Sequence, residues 1–247
     1  YPYLAAESGD LAITGYRRTV SFFREIVYGL RTEPFIAVHP PAHHGRPTAT
    51  TPWSWDDTVA SWSWNVPAGA PVVVDVYADA DEVELLRDGE FAGIPPVGAA
   101  REYTARFETV YAPGELVAIA RRGGVEVGRT ALRTADPEVS LVVRAESETI
   151  RSDADSLAFV SITLEDPTGI VPCDRDIRVS VRVEGPGLLA GLGTGRAATE
   201  EPLSAASVTL FRGRALAVVR PTGAGEIRVT VSSESYGEVT RTVHSVG

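Results

Sequence analysis

The 247-residue chain is long enough for one large domain or two of about 100–150 residues each. Apolar residues make up 44% and charged residues 23%, a globular balance that excludes a wholly disordered chain. With 23 basic against 33 acidic residues the net charge is −10, which disfavours nucleic acid and anionic membrane as partners, and no apolar run approaches the roughly 20 residues of a membrane-spanning helix.

The chain begins at Tyr1-Pro2-Tyr3, contains no methionine and shows no basic, apolar leader, which reads as a mature protein or a piece of a longer polypeptide. Every basic residue is arginine. From Thr19 to Leu30, Val20, Phe23, Val27 and Leu30 recur at helical spacing, and Phe22 and Ile26 widen the stripe. Gly29 and Pro34 are stop signals. So short a helix needs a surface to pack on, and no second helical pattern follows it. The expectation is the last helix of a domain lying upstream.

From Phe35 the period changes to two. Val72, Val74 and Val76 alternate with Val73, Asp75 and Tyr77; Tyr103, Ala105 and Phe107 alternate with Thr104, Arg106 and Glu108. Leu116 to Ala120 is apolar on both parities, as in a central strand, and Val125 and Val127 follow the turn Gly123-Gly124. About seven or eight such runs, separated by Gly, Pro and Asp, predict an antiparallel β-sandwich. Pro137 marks a linker. A second strand series then sets Leu141, Val143 and Ala145, then Val160, Ile162 and Leu164, then Ile177, Val179, Val181 and Val183, then Ile227, Val229 and Val231 on one face each. This predicts a second sandwich of about 110 residues. The fold class is therefore all-β: two consecutive antiparallel immunoglobulin-like sandwiches behind a short helical segment. The expected divisions are 1–30, 31–135 and 136–247.

Three blocks of residues carry a family resemblance across the chain. The first runs from Glu7 through Gly9-Asp10, Thr14-Gly15 and Arg17 to Ser21-Phe22-Phe23-Arg24; the second joins Ser61-Trp62-Ser63-Trp64 to Val74–Leu85 and the turn Asp88-Gly89. The third is Leu157–Val160, Val183-Glu184-Gly185-Pro186-Gly187, Gly191–Gly195 and Phe211–Ala215. Together they resemble the C-terminal third of bacterial glycoside hydrolase family 2 enzymes, the β-galactosidase-like branch. In that pattern the first block ends the catalytic (β/α)8 barrel, although Ala12 stands where the family has a second aspartate, and the last domain is invasin-like. The resemblance implies retaining hydrolysis by two barrel glutamates about 5–5.5 Å apart, both upstream of Tyr1. It implies an upstream barrel as partner, with carbohydrate bound through the parent enzyme and a homo-oligomer interface as a further role. The chain itself then supplies no catalytic residue and needs no cofactor. The competing reading is a free-standing carbohydrate-binding or adhesion module.

Several side chains invite a site. Trp53 and Trp55, beside Pro52, Asp56 and Asp57 in an irregular stretch, are the candidates for sugar contact, since aromatic faces stack on sugar rings and functional residues favour loops. Trp62 and Trp64 read as packing, and Glu7 and Asp10 as loop-bracing carboxylates. His39, His43 and His44 with Asp56 and Asp57 lack the helical spacing of a metal site, and the favoured reading is a solvated loop. Asp79, Asp81 and Glu82, or Asp153 and Asp155, match no complete calcium loop and read as turn residues. Gly191–Gly195 lacks the Lys-Ser/Thr of a phosphate loop and reads as a bend or bulge, and Cys173 as an inert thiol.

Overall fold

A computed structural model describes residues 2–6, 8–47 and 55–247. Its contacts divide the chain into two compact units, residues 6–135 and residues 136–247 with 1–5.

The first unit opens with helix α1 (Thr19–Val27) and continues through β1 (Phe35–Val38), β2 (Pro71–Tyr77), β3 (Glu82–Arg87), β4 (Glu90–Gly93), β5 (Thr104–Val110), β6 (Glu115–Arg122) and β7 (Val125–Arg133). Two sheets, β1-β2-β5 and β4-β3-β6-β7, enclose Ile36, Val38, Val74, Val76, Val83, Leu85, Leu116 and Ala118. Period two explains the choice: one parity of β2 fills this core, and the other turns outward. Trp62 is wholly buried in the same core and donates from Nε1 to the Ala112 carbonyl at 2.8 Å, with Tyr111 edge-on at 5.2 Å. Asp88 and Gly89, with φ of 49° and 79°, form the two-residue turn between β3 and β4, and Gly123 and Gly124 do the same between β6 and β7. β7 lies at the edge of its sheet, where residues 32–34 come against Gly128.

Helix α1 is covered within its own unit. Its cover is the outward face of β1-β2-β5, a sheet and not a second helix. Phe22 stacks on Phe35 at 4.1 Å, and Phe23 meets Tyr77 at 5.3 Å. Ile26, Phe35, Ala37 and Tyr77 form a second small core there. The inward stripe is thus the buried Val20 and Ile26 with the half-buried Phe22 and Phe23, while Val27 and Leu30 are 37% and 77% exposed. The helix stops three residues before Leu30: Gly29 takes φ +67°, and the amides of Gly29 and Leu30 donate to Ile26 and Glu25 carbonyls in a Schellman arrangement. Tyr103, expected on the core face of β5, instead precedes it at φ +55° and packs on the helix side.

The second unit contains β8 (Ser140–Ala145), β9 (Thr149–Arg151), β10 (Ala158–Glu165), β11 (Arg178–Glu184), β12 (Gly187–Gly193), β13 (Ser207–Thr209), β14 (Arg214–Pro221), β15 (Gly225–Ser233) and β16 (Gly237–Val246). Sheets β12-β14-β10-β8 and β13-β11-β15-β16-β9 close over Val143, Val160, Ile162, Leu164, Val181, Val229, Val231 and Val243. Pairing is antiparallel except that β9 runs parallel to β16. β12 carries a register shift between Leu189 and Gly191, the bulge expected of its glycines. Tyr3 bridges to Ala198, which brings the first residues into this unit. Asp166 closes a turn: its carboxylate accepts the amides of Asp136, Thr168 and Ile170 at 2.8–3.0 Å.

Candidate functional site

The outward parity of β2 is Val73, Asp75 and Tyr77, and α1 covers the Tyr77 end. Asp75 lies beyond the helix contacts. It faces Arg106 across the β2–β5 register, and Arg106 donates from Nε and Nη2 to the two carboxylate oxygens at 2.7 and 2.8 Å. His39 follows β1 by one residue. Its amide holds the Val73 carbonyl at 3.0 Å, and its Nε2 donates to Asp75 Oδ2 at 2.8 Å. Pro40 and Pro41 then bend the chain into a 3-10 turn, Pro41–His43, and His43 Nδ1 meets Asp57 Oδ2 at 2.5 Å. The segment bearing Asp56 and Asp57 is fastened to α1, for Thr19 and Thr58 hydroxyls bond at 2.7 Å and Arg18 donates to the Asp56 carbonyl at 3.4 Å. The result is a groove of about 540 Å³ lined by His39, His43, His44, Arg46, Asp57 and Arg106.

Asp75 is 2% exposed. Burial alone would raise its pKa, but hydrogen bonds from Arg106 and His39 outweigh burial and hold the carboxyl below its ordinary value. Burial would likewise lower that of His39, 26% exposed, yet the bond and charge of Asp75, with Asp56 behind, raise it. Burial pushes the Tyr77 phenol upward. The Tyr77 hydroxyl and the Trp55 indole N–H are both buried without a hydrogen-bond partner of normal geometry.

His39, Asp56 and Asp75 each offer a ligand atom, all within 4.8 Å of one another, one fewer than a structural zinc site takes and as many as a catalytic one. The guanidinium of Arg106 already occupies both oxygens of Asp75. A cation would have to displace it, so the arrangement is a hydrogen-bonded ion pair extended by an imidazole. The sequence placed His39 and its neighbours in a solvated loop; the structure separates them into a half-buried His39 on Asp75 and an exposed His43 on Asp57.

Trp53 and Glu7 lie outside the described residues. Trp55 is half-buried, its ring 5.0 Å from Phe23, and is not among the groove-lining residues. Asp10 pairs with Arg24 and its carbonyl receives the Arg18 amide, a brace at the entry to α1. Asp79 pairs with Arg122, Asp81 accepts the Gly123 amide, and Asp153 pairs with Arg151. Cys173 is a buried thiol outside any disulfide. Sequence reasoning missed Asp75 and Arg106, which it read only as polar-face positions. The available signal was one acidic residue inside the apolar run Val72-Val73-Val74-Asp75-Val76-Tyr77, since a carboxylate so placed needs a cation opposite.

Each of the two units is built from two β-sheets that enclose a core, an all-β sandwich architecture. Residues 141–242 match glycoside hydrolase family 2 C-terminal domain 5, and residues 69–128 match a domain of unknown function (DUF4982). Over 174 residues, 70% of this chain, the sequence is 27% identical to beta-galactosidase BoGH2A of Bacteroides ovatus, of which it covers 20%. A glycosyl hydrolase family 2 member from Bacteroides cellulosilyticus aligns with the whole chain at TM-score 0.89 and 28% identity, the chain covering 32% of it. A beta-glycosidase from Bacteroides vulgatus shares the fold at TM-score 0.74 and 18% identity, over 99% of this chain and 29% of its own. The chain thus spans a fifth to a third of the relatives it matches. Residues 141–242 thus match a family 2 C-terminal domain, and the chain is similar to the C-terminal region of glycoside hydrolase family 2 enzymes.

Proposed function

We propose that the chain is the C-terminal part of a retaining glycosidase hydrolysing β-galactoside-type bonds, and that it buttresses an upstream catalytic barrel. The observation that carries this reading is the alignment of the whole chain with about a third of a family 2 structure at TM-score 0.89. The galactoside assignment rests on the similarity to the Bacteroides ovatus beta-galactosidase. Residues 1–30 are read as the end of the barrel, followed by sandwich domains 31–135 and 136–247. Leu11, Ile13, Tyr28 and Leu30 support this: these large apolar side chains are exposed in the described structure and suit a surface that a barrel covers. The same surface serves a homo-oligomer in the second instance. Trp53 and Trp55 are proposed to hold the loop at the barrel mouth against substrate, Trp55 through its anchorage on Phe23.

An immunoblot of source cells with an antibody to this chain tests the reading. A band several times larger than 26.3 kDa is expected, and the corresponding protein should hydrolyse aryl β-galactosides while the isolated chain does not. A band at 26.3 kDa together with saturable galactoside binding by the chain alone would transfer the role to a free-standing module.

A further inference from the structure

We propose that the groove beside β2 and β5 binds the acidic group of a carboxylate- or sulfate-bearing saccharide, with Arg46 supplying charge, His44 an exposed hydrogen-bonding imidazole and His39 a semi-buried one. The chain is acidic, with a net charge of −10, yet three of its four histidines and two arginines line this one groove. The carboxylates beside them are already engaged: Asp57 by His43, and Asp75 by Arg106 and His39. Arg46 and His44 are exposed and have no charged partner among the described residues. His39 donates from Nε2 to Asp75, so its Nδ1 is free of that bond and donates to an anion when the imidazole is protonated. A guanidinium and imidazole donors are the chemistry that recognises a carboxylate or sulfate. The rings of His43 and His44 with Pro40 supply flat surfaces for the C–H face of a sugar, and about 540 Å³ falls in the range of small-ligand sites.

The net charge decides against a polyanion. A nucleic acid would meet the acidic surface beyond the groove, whereas a single acidic sugar interacts within a screening length of about 8 Å. His39 is faced by Asp75 from β2, Arg106 from β5 and Asp56 from the adjoining loop. Protonation of His39 adds positive charge to the groove, so affinity should rise as pH falls. The saccharide part of the assignment rests on the glycosidase reading above.

Titration calorimetry of the 247-residue chain with a glucuronate-bearing disaccharide, a 6-sulfated galacto-disaccharide and the neutral galacto-disaccharide, at about pH 5.5 and pH 7.5, tests it. Binding of at least one acidic disaccharide is expected, about tenfold tighter at the lower pH and weakened by salt. Arg46→Ala and His44→Ala, both exposed positions, should each weaken it about tenfold. The assignment is overturned if neither acidic disaccharide binds, if the neutral one binds as tightly, or if both variants bind like the parent. Inorganic sulfate binding without either acidic disaccharide would overturn the saccharide class. The titration uses this chain alone, so its failure would leave the glycosidase reading to be decided independently, by the aryl β-galactoside assay of the longer polypeptide.

Discussion

Replacing Arg106, a residue whose side chain is 60% exposed, should cost far more stability than an ordinary surface change. Surface substitutions usually stay within about 0.5 kcal/mol. Arg106→Ala, however, strands the 2%-exposed carboxylate of Asp75 with His39 as its remaining partner. Removing one member of a buried pair costs about 3–5 kcal/mol. Solvent screening of the exposed guanidinium brings the expectation to about 2–3 kcal/mol. Asp75→Val should cost less, because Arg106 returns to water and valine suits the strand. The double variant should match Asp75→Val and lie above Arg106→Ala in stability. Differential scanning calorimetry reads this directly. The transition of the first unit should fall by roughly 10 °C in Arg106→Ala while that of the second unit stays in place. A loss under about 0.5 kcal/mol in Arg106→Ala, or additive effects in the double variant, would refute the argument.

Three further outcomes follow from the same geometry. His39 has a raised pKa in the fold, so its contribution is fully present below about pH 6.5 and is lost as pH rises through the folded value; His39→Gln should flatten that slope in denaturation midpoints taken across pH. Asp166 is held at about 2 by the Asp136, Ile170 and Thr168 amides and the Thr168 hydroxyl, against burial that would raise it. Its stabilisation is present above about pH 4 and lost as pH falls toward 2, and Asp166→Ala should remove about 1–2 kcal/mol at neutral pH, since the turn is shielded by its own backbone and not by the core. Gly185 sits at φ +90° with an added Cβ only 2.1 Å from the Glu226 carbonyl oxygen, so Gly185→Ala should destabilise the second unit by at least about 2 kcal/mol in urea unfolding.

Both sandwiches were legible because alternation is a one-dimensional signal. Val160, Ile162 and Leu164 all reach the second core, and Asp88-Gly89 and Gly123-Gly124 make the turns their chemistry requires. The parallel pairing of β9 with β16 was not legible, because three residues carry no information about direction. The cover of α1 was missed for a related reason. Outward residues such as Phe35 and Tyr77 look like ordinary strand positions until the helix is laid over them. The site was legible only in part. His39, Asp56 and Asp57 stood out by type, but Arg106 lies 31 residues from Asp75 and meets it only through strand register.

The closing hairpin strand of the first unit has a consequence for assembly. β7 is nine residues long and lies at a sheet margin, the place where a second chain could add a strand. Residues 32–34 approach its midpoint so closely that even a methyl group at Gly128 would press on Pro34, and Glu126, Arg129 and Arg133 place charge along its length. The margin is thus obstructed where an intruding backbone would need to bond. Copies of this chain that associate should therefore not do so by adding a strand at β7.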